Sequence, residues 1–196
     1  MASSTRESLA LYLKVLDDHL VNKERSTTLY LSGGAAVVLA YGSAERTKDI
    51  DVFTEQRNQI LEDLQTWAGK NTPIARREGY FFEIVPPIYP MAPGMFSRAI
   101  PITGLNLKAI TPYAIELHDI IITKLDRFHS KDRSDIERLT RSPGFGHNRL
   151  LTLYETARDA LKLYWPDKLE KVDENFNRVR TEILGLAALG WGDEYQ

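Results

Sequence analysis

The sequence predicts an α/β (α+β) chain, with a small mixed sheet and flanking helices over residues 1–110 and a helical half, packed on it, over 111–196. Three observations predict this. Short β-branched and aromatic runs at 28–32, 49–53 and 79–85 alternate with segments of helical period in the first half. From residue 112 onward the apolar residues recur almost throughout at helical spacing. Between them, 29–53 carries a strand, a Gly33-Gly34 turn, an apolar helix and a second strand in immediate succession.

Each element has its own reason. Leu9, Tyr12, Leu13 and Leu16 put one apolar face on a helix over 5–22, and Asp17 and Asp18 follow too soon for a signal peptide. Residues 28–32 form a strand, 35–41 a short helix entered through the two glycines, 45–48 a polar turn, and 49–53 the second strand. Ile60, Leu61, Leu64 and Trp67 mark a helix over 58–69, which Gly69 ends. Residues 79–85 are the third strand, and the proline-rich 86–93 can only be loop, either a surface connection or a lid. Two short strands are expected in 98–110 around a Thr103-Gly104 turn. Thr111 then caps a helix that Pro112 begins, and helices follow over 112–128, 131–140, 148–164 and 167–188.

Composition narrows the function classes. Apolar residues make up 43% and charged residues 27%, as in an ordinary globular protein, and no apolar run is long enough to span a membrane. There is no cysteine, so disulfides, thiolate nucleophiles and thiolate zinc sites are excluded, and a cytoplasmic location is expected. A net charge of −2 gives no global attraction for nucleic acid. Locally the balance differs, with seven basic residues against four acids between Lys124 and Arg149. His19, His118, His129 and His147 show no metal-ligand spacing, and the tail from Gly190 on reads as frayed or as a contact with another chain.

The chemistry concentrates in the opening segment. Asp49 and Asp51 project from one face of a strand while Ile50 turns to the other. Two carboxylates so close repel unless a divalent cation or a proton sits between them. The turn Ser32-Gly33-Gly34 leads into a helix whose backbone N–H groups suit a phosphate. A two-metal site asks for a third acid, and Glu83, on the third strand, is the candidate; the alternative is a solvated strand residue. Lys124 and Arg127 lie three apart on a helix, either on a substrate phosphate or on a solvated face, and Asp132 and Asp135 either orient those cations or cap the next helix.

Taken together, Gly33-Gly34-Ala35-Ala36, Thr47-Lys48-Asp49-Ile50-Asp51, Lys124-Leu125-Asp126-Arg127 and Lys131-Asp132-Arg133-Ser134-Asp135-Ile136 resemble the polymerase-beta-like minimal nucleotidyltransferase superfamily. The bacterial AbiEii-type toxin branch is the nearer likeness, over about residues 28–140. The resemblance implies a nucleotidyltransferase-type sheet and transfer of a nucleoside monophosphate from a triphosphate to an acceptor hydroxyl, with loss of pyrophosphate. It implies two Mg2+ ions on Asp49, Asp51 and Glu83, these three also being catalytic, with the triphosphate on Ser32, Gly33, Gly34 and Lys124. The partners implied are a nucleoside triphosphate, an acceptor that is RNA, protein or a small molecule, and an antitoxin, with no membrane. A second glycine stands where many members have serine. Two other functions fit the same residues: a silent member that binds nucleotide or a partner, and an antibiotic-modifying transferase that uses the proline-rich loop as a lid.

Overall fold

The computed structural model describes residues 5–42, 47–54, 58–86 and 90–191. They fold into two compact units, Met1–Pro87 with Phe96–Glu116, and Ile88–Met95 with Leu117–Gln196.

The first unit is built on a five-stranded mixed sheet. Helix α1 (Thr5–Asn22) is followed by β1 (Thr27–Leu31), α2 (Gly33–Tyr41), β2 (Asp49–Phe53), α3 (Gln59–Ala68), α4 (Pro73–Glu78), β3 (Phe81–Val85), β4 (Ile100–Pro101) and β5 (Ile110–Ala114). The strand order is β3-β2-β1-β5-β4, with β1 parallel to β5, β2 parallel to β3, and the β1–β2 and β4–β5 pairs antiparallel. Alternation along the strands sends Leu29, Leu31, Ile50, Val52 and Phe82 to one face, and all five are buried. The other face carries Thr28, Tyr30, Asp49, Asp51, Phe53 and Glu83. Helix α2, Gly-Gly-Ala-Ala-Val-Val-Leu-Ala-Tyr, is apolar all round and accordingly buried along Ala35–Leu39. It stops at Gly42, which adopts φ +71° and donates its N–H to the Val37 carbonyl.

Several expectations are corrected. Pro112 does not open a helix; it sits within β5, between β1 and β4. It is tolerated because its carbonyl accepts from Ile102 N–H, so its missing N–H faces the short β4, just past that strand's two residues. The second strand of the pair around Gly104 is therefore β5, later than expected, and the helix expected over 112–128 shrinks to α5 (Leu117–Thr123). Helix α4 escaped the sequence reading, although Thr72 caps it with a hydroxyl that accepts from Ala75 N–H at 3.2 Å and Pro73 occupies its first turn. The polar turn at 45–48 and the proline-rich segment fall partly outside the described residues.

The second unit continues with α5, then α6 (Ser130–Leu139), α7 (His147–Tyr164) and α8 (Pro166–Arg178), which passes into a π-type turn (Val179–Ile183) where a longer helix was expected. Its α7–α8 pair closes on a buried polar centre. Arg158 Nε donates to both Asp173 oxygens at 2.9 and 2.8 Å, and the Tyr154 hydroxyl donates to the same carboxylate. Trp191 lies over the Arg158 guanidinium at 4.7 Å and against the rings of Tyr154 and Phe176. Two bonds between the Asn177 amide and the Leu189 backbone lead the chain there. As far as Trp191, then, the tail packs on its own unit, because an indole over a guanidinium and two rings gains cation–π and aromatic contact at once.

Candidate active site

β1 hands over to α2 at Ser32, whose backbone N–H donates to the Asp51 carbonyl at 2.9 Å. Ser32 is buried at the N-cap position, but its side chain makes no cap bond. The glycines that follow are dictated by side chains of β2 and of the residues just before it. Gly33 adopts φ +55°, and a Cβ placed there would lie 2.3 Å from Asp51 Oδ2. A Cβ on Gly34 would lie 2.7 Å from Thr47 Oγ1. Thr47 is buried, and its hydroxyl donates to the Asp49 carboxylate. The glycine turn and the acid pair are thus one packed unit: Asp51 fills the space beside Gly33, and Thr47 fills the space beside Gly34 while holding Asp49.

Asp49 and Asp51 are half-buried on one face of β2, and Glu83 stands directly opposite Asp51 in the parallel β2–β3 register. Adjacent strands run about 4.8 Å apart, so Glu83 is the nearest acid the sheet itself can bring to Asp51. Glu83 is exposed. Among the described residues no group of three or more carboxylates, histidines or cysteines is gathered tightly enough to hold a metal by itself. The donor set nevertheless fits magnesium, a hard cation that takes one or two carboxylates and fills its octahedron with water and substrate phosphate oxygens. Asp49 and Asp51 would supply the carboxylates, with Glu83 within one strand spacing.

Lys124 lies in the second unit, where it is buried and its ammonium donates to Asp135 at 2.6 Å and to Asp132 at 3.2 Å. Arg127 reaches Asp132 at 3.1 Å, and Asp132 also accepts the His129 backbone N–H as part of the α6 capping box. Asp132 therefore both holds the cations and caps the helix, Asp135 holds Lys124, and two of the three ammonium donors of Lys124 are spent inside this unit. Two of the histidines have packing roles. His19 stacks on Trp67 at 3.6 Å, and the buried His118 ring accepts from Gly146 N–H at 3.0 Å. Two features escaped the sequence reading. One is the Thr47 hydroxyl on Asp49, whose only signal was its place two residues before the acid pair. The other is the aromatic group of Tyr30, Tyr113 and Phe96 on the open sheet face, which only strand order brings together.

A mixed sheet whose glycine turn is packed against an Asp-x-Asp strand is the arrangement expected of a nucleotidyltransferase. The chain belongs to the family described as "Nucleotidyltransferase of unknown function" (DUF6036), whose model matches residues 12–168. No curated protein and no solved structure gives a significant match. No described helix is long and apolar enough to cross a membrane.

Proposed function

We propose that this chain is a magnesium-dependent nucleotidyltransferase that moves a nucleoside monophosphate from a nucleoside triphosphate to an acceptor hydroxyl. The observation that carries the reading is the Asp51 carboxylate packed against Gly33, with Asp49 beside it and Glu83 across from it, in a member of a nucleotidyltransferase family. Asp49 and Asp51 hold the metal, two ions being expected, and Glu83 acts as third ligand or as the base that takes the acceptor proton. Magnesium, when bound, lowers the pKa of the attacking hydroxyl and neutralises charge on the phosphates. The backbone N–H groups at Gly33 and Gly34 receive the triphosphate, joined by the Ser32 hydroxyl. Lys124 is the further residue that the resemblance assigns to the triphosphate. The acceptor oxygen bonds to the α-phosphorus, the bond to the β-phosphate oxygen breaks, and pyrophosphate leaves.

We also read the chain as a cytoplasmic toxin of the AbiEii-type branch, paired with an antitoxin. The support is the joint run of Gly-Gly-Ala-Ala, Thr-Lys-Asp-Ile-Asp and Lys-Asp-Arg-Ser-Asp-Ile segments.

The test is incubation with each α-labelled nucleoside triphosphate, magnesium and a cell extract, beside an Asp49→Ala/Asp51→Ala control. Label is expected to enter RNA, protein or a small molecule with the wild type alone. Absence of both transfer and metal-dependent nucleotide binding overturns the enzyme reading in favour of a silent member. For the toxin reading, induction in a bacterial host is expected to arrest growth with the wild type and not with Asp51→Asn; unarrested growth with wild-type protein removes it.

A further inference from the structure

A cavity of about 660 Å³ opens in the first unit just beyond the C-terminal end of β2, lined in part by Thr28, Tyr30, Phe53, Thr54, Asn58 and Thr111. Its volume is that of a small-ligand site. None of the described lining residues carries a charge. What it offers is two aromatic side chains and a set of hydroxyls. Tyr30 is held from two sides, with the Phe96 ring edge-on at 4.9 Å and the Tyr113 ring stacked at 5.6 Å.

Its position relative to the acids is set by the strand. Phe53 follows Asp51 by two residues on the same face of β2, roughly 7 Å along it. Tyr30 is the cross-strand partner of Phe53. A nucleotide whose α-phosphate lies at Asp51 therefore reaches the cavity mouth with its base after the span of one ribose.

Asn58 gives the cavity a donor of fixed direction. Its Oδ1 accepts the N–H groups of Ile60 at 3.0 Å and Leu61 at 3.4 Å as the N-cap of α3. A planar amide with its oxygen committed to the helix turns its NH2 the opposite way. We infer that this cavity binds the nucleobase of the donor triphosphate, through the aromatic pair of Tyr30 and Phe53 and a hydrogen bond from the Asn58 amide to a base carbonyl or ring nitrogen. The inference rests on the nucleotidyl-transfer reading and adds a site of base selection to it.

Asp is as good an N-cap as Asn, so Asn58→Asp keeps α3 capped while replacing the donor by an acceptor. The experiment measures equilibrium binding of ATP, GTP, CTP, UTP and inorganic tripolyphosphate, each with magnesium, to the wild type, Asn58→Asp and Tyr30→Ala. The wild type is expected to bind at least one nucleotide about tenfold or more tightly than tripolyphosphate, the scale of one base stacked on an aromatic ring. Tyr30→Ala should erase most of that margin. Asn58→Asp should change the rank order of the four nucleotides, with tripolyphosphate binding and the urea midpoint unchanged. Equal binding of nucleotides and tripolyphosphate, or an unaltered rank order in Asn58→Asp, overturns base recognition here and leaves transfer standing. Unaltered nucleotide binding with lost acceptor labelling assigns the cavity to the acceptor and overturns the inference. Binding of neither nucleotide nor tripolyphosphate overturns the transfer reading and this one together.

Discussion

Gly33→Ala is expected to cut nucleotidyl transfer about a hundredfold or more in a chain that still folds. Two costs separate here. The first is backbone strain: alanine at φ +55° costs roughly 1–2 kcal/mol, within the reserve of an ordinary domain. The second is local and chemical. The new methyl would stand 2.3 Å from Asp51 Oδ2, far inside contact distance, so the carboxylate must shift from its place beside the turn. The fold escapes the clash by moving the group that the proposed chemistry needs. Transfer should fall by about a hundredfold or more, since disturbing even the outer shell of a metal site costs 10–100-fold. Gly42→Ala supplies the control. Gly42 also has a left-handed φ, +71°, but a Cβ there meets nothing within 4 Å. Both variants should lose similar stability by urea denaturation, while only Gly33→Ala loses the initial rate of label transfer. Equal rates in the two would mean that the Asp51 carboxylate takes no part in transfer.

The residues that could be read from sequence are those whose partners lie close along the chain. Helix α1 (Thr5–Asn22) and strand β2 (Asp49–Phe53) fall on the expected bounds because each shows its own period within a few residues. The shared face of Asp49 and Asp51 followed from strand alternation alone. The Thr-Pro pairs show where local signals fail. Thr72-Pro73 and Thr111-Pro112 carry the same capping signature, yet the first begins α4 and the second lies inside β5. After Pro73 come Ile-Ala-Arg-Arg-Glu and a terminating Gly79, which suit a helical turn. After Pro112 the chain must lie between β1 and β4, and parallel pairing with Thr27–Leu31 decides its conformation. That pairing is long-range, so no window around Pro112 contains it. The alignment of Glu83 with Asp51 and the burial of Lys124 between Asp132 and Asp135 are of the same kind. Residue types and faces could be read; which acid stands opposite which, and which cation is already partnered, came only with the pairing of elements.

Asp17 shows how much can depend on a residue whose role no motif announces, and Asp17→Ala is expected to be among the most destabilising single changes in the chain. Asp17 is fully buried on α1, and its Oδ1 accepts the backbone N–H groups of Lys108, Ala109 and Ile110 at 2.9, 2.7 and 2.9 Å. Its Oδ2 pairs with Lys14 at 2.8 Å. The carboxylate thereby fixes the chain as it enters β5, next to the point where Thr27 N–H bonds the Ala109 carbonyl and starts the β1–β5 pairing. Removing it strands several buried donors, and about 3–5 kcal/mol of stability should be lost, read as a lower urea midpoint. Burial alone would raise the Asp17 pKa. The Lys14 ammonium and the three backbone N–H groups outweigh that and hold it below its ordinary 3.8. A carboxyl whose folded-state pKa is depressed stabilises the fold above the unfolded value, and that contribution disappears as pH falls through the folded one. Asp17→Asn separates the charge from the hydrogen bonds, because its carbonyl oxygen can still take all three N–H groups. It should cost less than Asp17→Ala and should flatten the acid limb of stability against pH. An acid limb unchanged in Asp17→Asn would mean that other carboxylates govern acid unfolding, and that Asp17 acts through geometry alone.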